Sequence, residues 1–434
     1  MSKKSKTLPR KKINSVLKEV LKKVEPSKED IKLIESSLKD FLERFEKRLK
    51  ALRINAEIFV GGSFAKNTVI KKDNYDVDIF VRFDKKYDNK EISNLLSKAL
   101  KTFRNLIKIH GSRDYFKLKI SPTFFIELIP VKKIKTLKEA ENITDLSYSH
   151  VKYINRKIKS SKTLEEIRIA KAFCYANNCY GAESYIQGFS GYALELLAYY
   201  YGSFTKFASA VTKIKDEKIV IDIEKHYRNK QVALMDINSS KLDSPIILVD
   251  PTYKSRNALA ALSDETFEKF KSACKKFLKN PSIKSFEIEK IDLEKIKADA
   301  KKNKYEFILI EAKTSKQEGD VAGSKLLKFY RHLSSEIEDF FHVKKKGFNY
   351  NGKKAARYFF VVKDKGEIIR AGSYLKDKKH VTKFKKKHKR TFSSKGRIHV
   401  KKKINFTLKD FIGTWKTKNR KKIRDMDISG LRVI

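Results

Sequence analysis

The sequence predicts a multidomain α+β protein. Three observations point that way. Apolar residues recur at helical spacing in some stretches and at a two-residue spacing in others, so both kinds of element are present. The chain has 434 residues, which at about 150 residues per domain suggests roughly three domains. Hydrophobic residues make up 41%, with 29 Phe and 19 Tyr, enough to build real cores and to exclude wholesale disorder.

Taken in order, residues 1–12 read as a disordered basic arm. The pattern is helical from Ile13 to Arg53 and broken at Glu25-Pro26-Ser27, where Ser27 is placed to cap the second helix. Ile34, Leu38, Phe41, Phe45 and Leu49 fall on one stripe of that helix. Strands follow at Ala56–Val60, Tyr75–Phe83, Phe116–Ile120 and Thr123–Ile129, with a helix over Lys90–Leu106, so residues 13–148 form a first domain with a β centre. Residues 163–205 are helical in pattern, 216–245 are polar and irregular, and Asp264–Lys279 is an amphipathic helix closed by Asn280-Pro281. Residues 149–285 are therefore a central, mainly helical domain. The charged stretch Glu287–Lys304 reads as a linker or a solvated helix. In the C-terminal α+β domain, residues 286–434, a helix over Gly323–Phe341 lies between strands at Tyr305–Ala312 and Tyr358–Val362. Residues 376–403 hold fourteen Lys or Arg and one acid, Asp377. Phe384 and Phe392 interrupt that run, which argues for a folded basic surface.

Lys and Arg total 100 against 52 Asp and Glu, a net charge of +48. A chain this basic repels itself without a polyanionic partner. Nucleic acid is the leading candidate, ahead of an anionic membrane or a plain lysine bias. No apolar run approaches the length of a membrane span, and the start, MSKKSKTLPRKK, lacks the apolar segment of a secretory signal. The reading is a cytoplasmic protein. Cys174, Cys179 and Cys274 are too few for a disulfide framework and are not spaced for zinc, so they read as buried thiols.

The chemistry concentrates in Gly61-Gly-Ser-Phe-Ala-Lys-Asn-Thr68 and in Asp76-Val-Asp78. Two glycines and a serine after a strand let backbone N–H groups approach a phosphate, and a helix starting near Phe64 would aim its positive end there. The spacing is not that of a Walker P-loop. Side chains two apart in a strand share a face, so Asp76 and Asp78 would place two carboxylates about 7 Å apart. Such a pair is tolerable around divalent cations, and oxygen-only ligands favour Mg²⁺ or Mn²⁺. Glu127 is a lone acid in the apolar run Phe124–Ile129, costly unless a cation meets it. Three carboxylates beside a phosphate cradle suit two-metal phosphoryl transfer.

Gly-Ser-x4-Thr, then Asp-x-Asp in a strand, then a third acid before Ile-Pro, resembles the DNA polymerase beta nucleotidyltransferase superfamily. The run Lys171–Glu183, Gly188-Phe-Ser-Gly-Tyr192, Glu195-Leu-Leu197, Tyr201-Gly-Ser-Phe204 and Val249–Ala260 are similar to archaeal (class I) CCA-adding enzymes. The resemblance covers most of residues 30–285 and weakens beyond. It implies a polymerase beta-like catalytic domain, template-independent addition of C, C and A to the tRNA 3′ end from CTP and ATP, and two Mg²⁺ ions on Asp76, Asp78 and Glu127. Ser63 and Lys66 would contact the triphosphate, Thr68 would stabilise the loop, and Gly62 is placed with them among the nucleotide-binding residues. His150, Lys171 and Tyr180 match further nucleotide-binding positions, and Arg256 matches the arginine that reads the base edge. Two positions depart from the pattern: Lys66 stands for an arginine and Glu127 for an aspartate. Lys383, Lys386, Lys387 and Arg390 would grip the acceptor and T-arm of tRNA, and a homodimer is left open. Taken without the resemblance, Lys171 could be a surface lysine, His150 a loop histidine, and Arg256 a structural partner of Asp250. The alternatives are a poly(A) polymerase-like RNA nucleotidyltransferase and a non-enzymatic RNA-binding protein on the same scaffold.

Overall fold

Ser27 sits in extended backbone and its Oγ accepts the Asp30 amide at 3.0 Å, which fixes where the first long apolar stripe begins. The computed structural model of the protein describes residues 7–434 apart from 112, 216, 217, 290 and 389. The chain forms two compact units that divide between Glu289 and Lys290. In the first, α1 (Thr7–Val24) precedes α2 (Lys28–Ala51). Residues 1–6 of the expected disordered arm lie outside the described residues. From Thr7 onward the expectation fails, because Ile13, Leu17 and Val20 are buried and the helix propagates back from that anchored face.

A five-stranded sheet follows, built from β1 (Ala56–Val60), β2 (Tyr75–Phe83), β3 (Leu106–Ile109), β4 (Tyr115–Lys119) and β5 (Phe124–Lys132), with α3 (Asn89–Leu100) between β2 and β3. The order is β1-β2-β5-β4-β3, and only β2 and β5 run parallel. The helix expected to reach Leu106 stops at Leu100. Asn105 takes a left-handed φ of 59°, and Leu106 enters the edge strand. On β2, Val77, Ile79, Val81 and Phe83 are buried in one core with Ile34, Leu38, Phe41, Phe45 and Leu49 of α2. The alternation sends Asp76 and Asp78 to the opposite face. The parallel register then sets Asp78 against Glu127.

The same unit continues through α4 (Ser147–Lys157), α5 (Ser161–Ala176), α6 (Gly191–Tyr201), α7 (Phe204–Thr212), β6 (Ile219–Ile221), α8 (Lys230–Asp236), β7 (Ile246–Asp250), β8 (Tyr253–Asn257) and α9 (Asp264–Lys279). Its core gathers Phe173, Phe189, Phe204, Phe207, Phe270 and Phe277 around the three buried, unoxidised cysteines. The expectedly irregular stretch 216–245 contributes β6, which pairs parallel to the wholly buried β7. A strand of three residues is too short to show a period in sequence.

In the second unit, α10 (Leu293–Lys302), β9 (Glu306–Lys313), α11 (Asp320–Glu338), β10 (Phe341–Tyr350) and β11 (Ala355–Asp364) come first. They are followed by β12 (Glu367–Tyr374), α12 (Lys378–Lys387), β13 (Thr391–Ser394), β14 (Arg397–Lys403), α13 (Leu408–Lys418), α14 (Arg420–Asp425) and β15 (Gly430–Val433). An antiparallel sheet runs β10-β11-β9-β15. Strand β11 shows the period of two at full strength. Tyr358, Phe360 and Val362 join the core that holds Leu326, Phe329 and Leu333 of α11, while Phe359 and Val361 join Ile296 and Ala300 of α10. The stretch read as a linker or solvated helix is therefore a packed helix, anchored by two apolar positions four apart. A second sheet, β12-β14-β13, carries α12, whose Phe384 ring packs so close to Gly372 that a Cβ there would lie 2.8 Å from it.

Candidate active site

The bend after β1 is built around contact with β2. Gly62 takes φ 62°, and a Cβ on it would fall 1.7 Å from Asp78 Oδ2, so glycine is required twice over, by conformation and by space. Beyond it, Ala65 N–H reaches Gly61 O at 3.2 Å and Thr68 N–H reaches Ser63 O at 2.9 Å. The helix expected from Phe64 does not form. These residues make a closed series of turns, which spends part of the backbone N–H supply that a helix start would have aimed at a phosphate.

Asp76 is exposed, while Asp78 and Glu127 are half-buried on the same sheet face. Burial, with the negative charges of Glu127 and then Asp76, pushes the Asp78 carboxyl up to about 7. Glu127 is engaged by Lys117, directly opposite it on β4, whose Nζ donates to Oε1 at 2.9 Å. Among the described residues no group of three or more His, Cys, Asp or Glu is gathered into a ready metal site. The donor chemistry nevertheless fits divalent cations. Three carboxylates share a face, and positive charge would relieve both the burial of the Asp78 carboxylate and its repulsion by Glu127 and Asp76.

Three of the residues expected to bind nucleotide, Lys66, Thr68 and Lys171, meet on a fully buried carboxylate, Glu195 of α6. Lys66 Nζ donates to Oε2 at 2.6 Å; Thr68 Oγ1 and Lys171 Nζ each donate to Oε1 at 2.8 Å. Lys171 Nζ also donates to Thr68 Oγ1 at 2.7 Å. Lys171 is thus a core residue at 2% exposure, not a surface lysine. Burial alone would raise Glu195, but the charges of Lys171 and Lys66 overcome it and bring it down to about 2. Burial draws Lys171 down to about 8 against the pull of that carboxylate. Ser63, Thr68, Lys72, Asp76, Lys171 and Tyr180 line one cavity. The Tyr180 phenol stands 3.0 Å from where a Cβ on Gly191 would be.

A second buried carboxylate, Asp250, collects two more of the expected site residues, His150 and Arg256. His150 lies in α4 and not in a loop. Its Nε2 is 3.0 Å from Asp250 Oδ2, and its ring stacks on Tyr192 at 4.1 Å. Arg256 Nη1 donates to the same oxygen at 2.6 Å, so the structural pairing with Asp250 is real. The remaining four, Lys383, Lys386 and Lys387 of α12 and Arg390 just after it, are exposed on the second unit.

Residues 165–287 match the family described as "tRNA nucleotidyltransferase, second domain", and residues 38–172 match "Nucleotidyltransferase domain". The two matched domains together run along residues 38–287 of the chain. The chain is 38% identical over 274 residues to a CCA-adding enzyme of Nanoarchaeum equitans, a match covering 62% of this chain and 66% of the relative. It is 31% identical over 309 residues to one of Methanocaldococcus jannaschii, covering 68% and 66%. Against one of Saccharolobus shibatae it is 33% identical over 284 residues, covering 65% and 63%. The chain therefore spans just under two thirds of the length of these relatives. Among solved structures it is similar in fold to a cytoplasmic RNA terminal U-transferase, at TM-score 0.50 and 14% identity, covering 65% of this chain and 100% of that one. A Cid1 poly(U) polymerase matches equally, at TM-score 0.50 and 14%, covering 65% and 99%. Among the described residues no helix is long and apolar enough to cross a membrane.

Sequence reasoning assigned no role to Glu195 or Lys117, and saw Asp250 only as a structural partner for Arg256. A signal existed for the first. Glu195 interrupts the apolar run Tyr192–Tyr201 as Glu127 interrupts its strand, and the same cost argument applies to both.

Proposed function

We propose that this protein is a template-independent CCA-adding enzyme, completing the tRNA 3′ end from CTP and ATP with release of pyrophosphate. The observation that carries the reading is the buried junction at Glu195. It ties the bend residues Lys66 and Thr68 to Lys171 of α5, beside the face that bears Asp76 and Asp78. Relatives named CCA-adding enzymes support the same reading.

In the reaction, the 3′-hydroxyl of tRNA attacks the α-phosphorus and the bond to the pyrophosphate breaks. Lys66, Lys171, Ser63 and Thr68 hold the triphosphate, with Tyr180 and His150 against the nucleotide. Lys66 and Lys171 are fixed in place before substrate arrives, so little side-chain entropy is lost on binding. Asp76, Asp78 and Glu127 would hold two Mg²⁺ ions. When bound, these lower the pKa of the attacking hydroxyl and neutralise the leaving phosphates. Arg256 donates to the ring acceptors shared by cytosine and adenine, N3 and N1, which uracil and guanine replace with N–H donors. The exposed cations of α12 and Arg390 contact the phosphates of the acceptor and T-arm, a contact of shape and charge, not of base sequence.

The test is incubation of tRNA lacking its last three, two or one nucleotides with each NTP singly, resolved by length. CTP incorporated twice, then ATP once with a stop, is the expected pattern. Continued addition of A, or no addition at all, would overturn the reading.

A further inference from the structure

We infer that Asp250 is a positioning residue for nucleotide choice, holding the Arg256 guanidinium by one terminal nitrogen so that its buried Nε–H is kept for the incoming base. The inference rests on the proposed role of Arg256 and extends it to a residue that never touches the substrate.

Asp250 is fully buried at the end of β7, and its oxygens have no spare capacity. Oδ1 accepts the Tyr192 hydroxyl at 3.0 Å, the Thr252 amide at 2.9 Å and the Thr252 hydroxyl at 2.8 Å. Oδ2 accepts Arg256 Nη1 at 2.6 Å and lies 3.0 Å from His150 Nε2. A carboxylate held by His150, Tyr192 and Thr252, from α4, α6 and the β7–β8 hairpin, gives the guanidinium a fixed anchor. Burial would favour a neutral Asp250, yet the bonds and charges of His150 and Arg256 keep it anionic far below the ordinary carboxylate range.

The complementary observation is on Arg256 itself. Its Nε is buried and has no hydrogen-bond partner. An orphaned buried N–H costs stability unless something arrives to accept it. A ring nitrogen with a lone pair, N3 of cytosine or N1 of adenine, satisfies it. The N3–H of uracil or N1–H of guanine sets donor against donor. This discrimination depends on the fork not rotating, because a free guanidinium can turn other N–H groups toward the carbonyls of the wrong bases. Rigidity is what Asp250 supplies.

The experiment uses the full chain and tRNA lacking its terminal nucleotides, measuring kcat/KM for CTP and UTP separately in wild type, D250N, Y192F, R256A and the D250N/R256A pair. D250N keeps an acceptor but loses the charge, and should lower the CTP/UTP ratio by roughly tenfold or more. In the R256A background it should add little, since both changes act through one group. Y192F keeps the ring stacked on His150 and removes one bond to Oδ1. It should shift the ratio the same way by about two- to threefold, and it serves as the deciding variant if D250N does not fold. A ratio unchanged in folded D250N, or unchanged in Y192F where D250N cannot be made, overturns the inference. A ratio unchanged in R256A instead sinks the base-reading role on which it rests, leaving CCA addition itself to be judged by its product pattern.

Discussion

Lys66 Nζ lies 2.6 Å from Glu195 Oε2, an ammonium from the bend after β1 against a carboxylate at 0% exposure in α6. Removing one partner of a buried pair leaves an uncompensated charge, at a cost of about 3–5 kcal/mol. E195A, which leaves both Lys66 and Lys171 unpaired, should therefore unfold at markedly lower denaturant than wild type. Urea titration followed by far-UV circular dichroism checks it.

The same carboxylate sets a pH window. Glu195 is lowered to about 2 from its ordinary 4.5, so its stabilisation is complete above the unfolded value and is lost as pH falls from about 4.5 through about 2. The shift corresponds to roughly 3 kcal/mol at most. Wild type should thus lose its stability advantage over E195Q on acidification through that range. Unfolding free energies of both proteins, measured at matched pH values, decide the point. A difference that stays constant with pH would refute it.

Asp78 behaves in the opposite sense. Its raised value of about 7 means that its contribution is present below the ordinary carboxylate range and lost as pH rises through about 7. Without metal, D78N should be more thermostable than wild type above pH 7 and no different near pH 4. It should also fail to incorporate nucleotides while binding tRNA normally. Added Mg²⁺ should raise the melting temperature of wild type only. Near-normal turnover by D78N would dismiss the metal assignment.

Gly62→Ala would drive a Cβ to 1.7 Å from Asp78 Oδ2 at a left-handed φ. The backbone strain costs about 1–2 kcal/mol. The displaced carboxylate should reduce kcat by about 100-fold, since a shift near 1 Å at a reacting centre suffices. Stopped incorporation assays set beside thermal melts separate the two effects.

Lys383, Lys386 and Lys387 are exposed on α12, so reversing all three to Glu should leave the fold intact. Binding to tRNA should weaken, and its dependence on salt should become shallower by about 2–3 in the slope of log affinity against log salt. Filter binding across a salt series measures this, and an unmoved slope would assign the patch to solvation alone.

How much of this could be read from sequence differs by residue. The strands at Ala56–Val60 and Tyr75–Phe83 and the helix Asp264–Lys279 stand where the sequence places them, because Ala56, Ile58 and Val60, then Val77, Ile79, Val81 and Phe83, and then Phe267, Phe270, Cys274 and Phe277 pack into cores. The shared face of Asp76 and Asp78 followed from the strand period alone. What could not be read were partners far apart in the chain. Lys171 meets Thr68 across 103 residues and His150 meets Asp250 across 100, and no local pattern encodes either meeting. The short strand β6 and the two-anchor helix α10 were hidden for a different reason: each buries too few residues to imprint a period.

The three thiols sit among phenylalanines, and burial raises each of them, Cys179 to about 11. A folded molecule should accordingly resist alkylating reagents at neutral pH, since so little thiolate is present and none of it is reached. The rate at which such a reagent consumes these sulfurs becomes a clock for how often this core opens, readable in cell extract on unmodified protein.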